Sequence, residues 1–103
     1  MQDVPTERRS AQRLPMTLLM RVCPSPQAPQ GEDTITKDVS TKGVFFYTSA
    51  TWSQASEIEF VLALPPTGTQ VRYKGRVVRV ESFRDGTFGV AVATDAYEYV
   101  GET

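Results

Sequence analysis

The chain has 103 residues, room for one domain and one core, and 11 Lys and Arg against 12 Asp and Glu leave a net charge of −1. That balance argues against bulk electrostatic attachment to DNA or to an anionic membrane. With no histidine and a single cysteine, Cys23, the chain builds neither an internal disulfide nor a soft metal site.

Residues 1–13 carry several charges and no apolar periodicity, so they read as a flexible arm, with the domain proper over 14–103. Pro15 marks the boundary. From Met16, Leu18, Met20 and Val22 alternate with Thr17, Leu19 and Arg21, which predicts a first strand. Three prolines and Gly31 within 23–33 predict a long loop. A short β-branched stretch over 34–37 leads to a turn around Gly43, and residues 44–48 form the next strand. The polar segment 49–56 around Trp52 predicts an irregular connection with at most one helical turn.

The clearest alternation follows, with Ile58, Phe60, Leu62 and Leu64 on one face until Pro65-Pro66 and Gly68 stop the strand. Val71, Tyr73 and Val77 then alternate with Arg72, Lys74 and Arg76. At Val77-Val78 the phase slips by one residue, the mark of a β-bulge or of a bend at Gly75, and Val78 and Val80 are expected to take the inner face. Asp85-Gly86 signals a hairpin turn. Phe88, Val90 and Val92 form a last strand whose other face is small: Gly89, Ala91 and Ala93. Residues 94–100 are expected to form a short terminal helix beginning near Asp95. Six short strands with frequent turns predict an all-β domain, a small antiparallel barrel in which closure removes exposed edges.

No apolar run nears the roughly 20 residues of a membrane span, and the first residues are polar where a signal peptide would be apolar. A soluble protein in a reduced, cytoplasmic setting is expected. The chain also lacks a Gly-x-Ser-x-Gly elbow, a Walker-type phosphate loop and any carboxylate pair implied by local spacing, so no catalytic residue is expected and an enzyme is disfavoured. Charge is nonetheless uneven. Between Val71 and Arg84 five bases (Arg72, Lys74, Arg76, Arg79, Arg84) face Glu81 alone, whereas the last nine residues hold Asp95, Glu98 and Glu102 and no base. A basic stripe inside a neutral protein suits a small anion better than a polyanion.

Two short motifs stand out. Arg9-Ser-Ala-Gln-Arg13, preceded by Arg8, offers guanidiniums, whose planar forks of donors match phosphate and the O6/N7 edge of guanine. Asp38-Val-Ser40-Thr-Lys-Gly43 offers a carboxylate able to accept from the N1 and N2 donors of guanine. Ser40 adds a hydroxyl for a phosphate oxygen or a base edge, and Gly43 a position of close backbone approach. Each also has a plainer reading, a solvated basic tail and a hairpin turn. Both in this order arise by chance in about 1% of chains this short, at ordinary residue usage.

Together the motifs resemble the RxxxR and (D/N)xSxxG signature of PilZ domains, the bacterial cyclic di-GMP receptors. The resemblance continues in Gly43-Val-Phe-Phe and in Gly75-Arg-Val-Val-Arg-Val80 followed by Phe88-Gly-Val-Ala-Val92, and so spans about residues 8 to 93. It implies a six-stranded split barrel whose arginine arm wraps over ligand. Arg9 and Arg13 would hold guanine edges and phosphates of cyclic di-GMP, and Asp38, Ser40 and Gly43 would surround a base. An arginine at position 8 implies an intercalated pair of ligands. Arg76 and Arg79 are candidates to line the site, or else solvated strand residues, while Trp52 and Cys23 read as packing residues.

The resemblance implies a switch that passes its state to a partner protein or to self-association, with no cofactor beyond the nucleotide, no DNA and no membrane insertion. Two other readings are a nucleotide-independent PilZ-fold adaptor in motility or pilus assembly, and a small-barrel binder of single-stranded nucleic acid.

Overall fold

Seven strands account for the regular structure of residues 14–101, the part of the chain described by the computed structural model. They are β1 (Leu14–Pro15), β2 (Leu19–Val22), β3 (Glu32–Ser40), β4 (Gly43–Thr48), β5 (Glu57–Leu64), β6 (Thr69–Ser82) and β7 (Phe88–Gly101). Every pairing is antiparallel, and the order β3-β2-β5-β6-β7-β4 returns to β3 through the β3–β4 pairing. Six strands thus close a barrel, with the two-residue β1 added along β3. Among the described residues no helix is long and apolar enough to cross a membrane.

The period-2 alternation puts the interior where the sequence predicts it. Leu18, Met20 and Val22 meet Ile58, Phe60 and Leu62 from β5, Val44 and Phe46 from β4, and Val77, Val90 and Val92 from β6 and β7. Trp52 and Ala28 plug in from the loops, and Met16, Leu64 and Tyr73 pack at the margin. Cys23 is half-buried, and desolvation, reinforced by Glu59, pushes its thiol up against the opposing pull of Arg72 and Arg21. Trp52 packs within the core, and Cys23 is not part of that cluster.

The phase slip in β6 is a register shift between Val77 and Arg79 across from β7. Val77 stays inside at 1% exposure, but Val78 does not follow it inward: the extra residue of the bulge is pushed out to 45% exposure, and only Val80 packs against the core. A second shift lies between Lys74 and Gly75, where a side chain at Gly75 would land on the Ala93 carbonyl oxygen and Val92. These bulges bend a 14-residue strand enough to serve two walls of the barrel.

Two further expectations change. The first strand does not begin at Met16: regular pairing with β3 covers Leu14–Pro15 and then Leu19–Val22, and between them Thr36 of β3 bonds the backbone of residues 16 and 18 through its side chain. Its buried hydroxyl donates to the Met16 carbonyl at 2.7 Å and accepts from the Leu18 amide at 2.9 Å. Residues 94–100 form no helix: they continue β7, held to β6 by pairs from Gly75↔Thr94 to Gln70↔Gly101. Alternating Tyr97, Tyr99 and Val100 are β-formers, and pairing to β6 overrides the acidic start that suggested a helix. The segment 49–56 is the irregular connection expected, with bends and a turn, and Ala55 stands at φ 74°.

The bulge makes a sharp prediction. Val77→Ala lowers stability by about 2 kcal/mol, whereas its neighbour Val78→Ala changes it by less than about 0.5 kcal/mol. Urea unfolding of the two variants checks it, and equal losses would contradict the register.

Candidate functional site

Asp38 and Ser40 lie in β3 itself, not in a turn. Only Thr41 and Lys42 make the turn, and Gly43 already pairs with Ser40 as the first residue of β4. The Ser40 hydroxyl accepts from the Lys42 amide at 3.1 Å and reaches the Gly43 carbonyl at 3.3 Å, so it organises the two-residue connection. Gly43 is not in the left-handed region. Its reason for being glycine is close approach, since a Cβ there would strike the Val92 carbonyl oxygen of β7.

Register then shows what shares their face. Val39, Val44, Val92 and Val77 point into the core, so their neighbours point out. One outward row runs Ser40–Gly43–Ala93–Arg76 across β3, β4, β7 and β6, and the next runs Asp38–Phe45–Ala91–Arg79. The rows are two residues apart, roughly 7 Å, and each spans three strand spacings, about 14 Å. Asp38, Ser40 and Gly43 thus stand at one side of a single outer face, with Arg76 and Arg79 at the other. The small residues of β7 form the low ground between them.

Phe45 is the floor of that face. Although it points away from the core it is only 3% exposed, and the absent side chain of Gly89 makes room for its ring. Arg79 Cζ stands 5.8 Å from the ring centroid and Lys37 Nζ 5.4 Å, both cation–π distances. Arg79 also bonds Glu81 Oε2 through Nε at 3.0 Å in an exposed pair. Tyr47 packs edge-on to Phe45, and Phe83 leans against Tyr47. Lys37, Phe45, Tyr47 and Phe83 fall outside the motifs that the sequence offers. Aromatic residues at the polar phase of β4 are a signal that could have found Phe45 and Tyr47; Lys37 on β3 and Phe83 after β6 carry none.

The start of the described chain completes the geometry. Leu14 pairs with Val39 and Pro15 with Asp38, so the backbone that follows Arg13 runs directly beside the second motif. Arg8, Arg9 and Arg13 themselves lie outside the described residues. Their point of attachment is fixed, one strand spacing from Asp38.

The family model for the PilZ domain matches residues 7–98, a span that includes both motifs and all of the barrel ring but the last three residues of β7. The chain belongs to the PilZ family. Members are regulatory binding domains of the cyclic di-GMP receptor and adaptor class, not enzymes. Among solved structures, the Bacillus subtilis inhibitor of motility (MotI/DgrA) superposes with a TM-score of 0.76 at 14% identity, over 88% of this chain and 44% of its own. This PilZ chain therefore spans less than half the length of that protein, and the likeness is one of fold. No curated protein sequence matches it.

Because Phe45 is buried on the outside of the barrel, truncating it should matter as much as truncating a core residue. Phe45→Ala is expected to cost about 3 kcal/mol in thermal or urea unfolding, and Lys37→Ala, which leaves the ring in place, less than about 1 kcal/mol.

Proposed function

We propose that this PilZ domain is a cyclic di-GMP receptor that closes its N-terminal segment over ligand held on the outer face of β3 and β4, and passes that state to a partner protein. The observation that supports the reading best is the pairing of Leu14 and Pro15 with Val39 and Asp38. It roots the arginine segment beside the carboxylate and hydroxyl that suit a guanine. In this reading Asp38 accepts from the guanine N1 and N2 donors, Ser40 and the Gly43 backbone lie along the base and its phosphate, and Arg9 and Arg13 supply donors from above. Arg76 and Arg79 meet the far side of the ligand, and Arg8 offsets the charge of a second, intercalated cyclic di-GMP.

The chemistry demands little else. A dianionic ligand gains from several guanidiniums in a partly desolvated site, and ordering the segment at binding carries an entropic cost that those contacts must exceed. The ordered segment is then new surface, and a partner that binds only this form reads the nucleotide. A nucleotide-independent adaptor role keeps the same fold. MotI/DgrA is an inhibitor of motility, and control of motility is the kind of process in which such an adaptor would act.

Calorimetry with cyclic di-GMP tests the proposal. Micromolar or tighter binding that weakens with salt is expected, with losses of at least about tenfold for Arg9→Ala and for Asp38→Ala, each worth about 1.4 kcal/mol or more. Absence of heat, or variants that bind like the parent, would favour the adaptor. A separate expectation concerns stoichiometry: Arg8→Ala reduces two ligands per chain to one with the fold intact, and an unchanged ratio would remove Arg8 from the site.

A further inference from the structure

Among the described residues, the C-terminal half of β7 has a partner strand on one side only. As far as Ala93 it lies between β6 and β4, and the Thr94 amide still reaches the Lys42 carbonyl at 2.8 Å. Beyond that point β4 has ended; residues 96–99 and Gly101 pair with β6 alone among the described residues, and Asp95 and Val100 are the extra residues at two register shifts. Seven residues of strand edge, about 24 Å long, face outward there. Natural sheets usually blunt such an edge by shortness, proline or covering chain. This one has no proline, and although register shifts lie near its two ends, residues 96–99 between them keep regular register with β6 and carry Tyr97 at 68% and Tyr99 at 74% exposure.

Its two faces differ in chemistry. Tyr97 and Tyr99, opposite Tyr73 and Val71, continue the inner face beyond the mouth of the barrel, and the rings of Phe60, Tyr73 and Tyr97 follow one another at 5.2 and 6.1 Å. Burial, then the nearby Tyr97 and Tyr99, push the Tyr73 hydroxyl upward. Glu98, opposite Arg72, stands on the outer face, and Asp95 begins the edge. From residue 94 to the last residue the sequence holds three acids and no base.

From this edge we infer that residues 95–101 are a docking strand for an extended basic segment of a partner protein, which adds to β7 as an antiparallel strand. Strand addition supplies the backbone bonds that the edge lacks, and the two faces set the pattern of the guest. Lys or Arg on one side meet Glu98, with Asp95 at the start of the edge, while β-branched or aromatic residues on the other lie against Tyr97 and Tyr99. A second copy of this chain fits poorly, because it would set the acids of two identical edges side by side, while the nearest bases, Arg72 and Lys74, lie behind the edge on β6 and Arg72 already meets Glu98 at 3.8 Å. The inference names the partner chemistry left open by the receptor-adaptor reading and rests on that reading only for its purpose. Asp95 and Glu98 are outside the nucleotide face, so the two ideas fail separately.

The test uses the whole chain and an acetylated, amidated octapeptide alternating Lys and Val. Amide exchange followed by NMR should slow at least tenfold over 95–101 when the peptide is added, and the effect should weaken with salt. Asp95→Lys combined with Glu98→Lys should abolish it while leaving cyclic di-GMP binding and the far-ultraviolet spectrum unchanged. No protection at 95–101 would overturn the inference, and so would equal protection by a Glu-Val octapeptide. Sedimentation as a dimer that Tyr99→Lys dissociates would assign the edge to a second copy and overturn it as well.

Discussion

The fold turns on the double service of β3. Its first half pairs with β2, its second half with β4, and the change happens at Thr36 and Lys37, where the β3–β4 register shifts. Without that change the sheet would remain open, with two edges and half a core. Thr36 makes it feasible by placing one buried hydroxyl where the pairing of β3 with β1 and β2 is interrupted, so that backbone groups of Met16 and Leu18 stay satisfied. Side chains at the other end of β3 carry the closure on: Thr34 bonds the Tyr47 carbonyl at 2.6 Å, and Glu32 receives the Thr48 hydroxyl and the Ser49 amide. One strand thereby shuts the barrel and aims Asp38 and Ser40 outward.

Much of this is readable from residue order, because burial in a small barrel has a period of two. The inner faces of β2, β5 and the start of β6 follow Met20, Phe60, Leu62 and Val71 as the alternation dictates, and the Val77 slip marks a real bulge. Alternation is silent about which residue of a bulge is extra. Val78 is as apolar as Val77, and only pairing to Ala91 and Val92 decides that it goes out. Residues 94–101 show a related failure. Their composition is compatible with a helix, and the preference for strand comes from β6, a neighbour in space that is remote along the chain.

The candidate site is legible as chemistry and not as geometry. Asp38, Ser40 and Gly43 are identifiable as a motif, yet residue types alone suggest a turn where β3 continues as strand. Arg76 and Arg79 are ambiguous in sequence because outward strand residues are usually solvated. Cross-strand register removes part of that ambiguity by aligning them with Ser40 and Asp38 across β4 and β7. Lys37 and Phe45 need the fold: the extra residue of the β3 shift and a ring buried on the wrong side of the barrel become neighbours only in three dimensions.

The short β1 pairing has a kinetic and thermodynamic meaning beyond its two residues. Six peptide units join Arg9 to Pro15, so the Arg9 Cα is leashed within about 20 Å of the residue that pairs with Asp38. Any grip that arginine takes on a molecule already held at Asp38 is an intramolecular step, with a local concentration of order millimolar set by the leash. Weak individual contacts then suffice. Lengthening the leash between Arg13 and Leu14 would dilute that step without altering a single contacting residue.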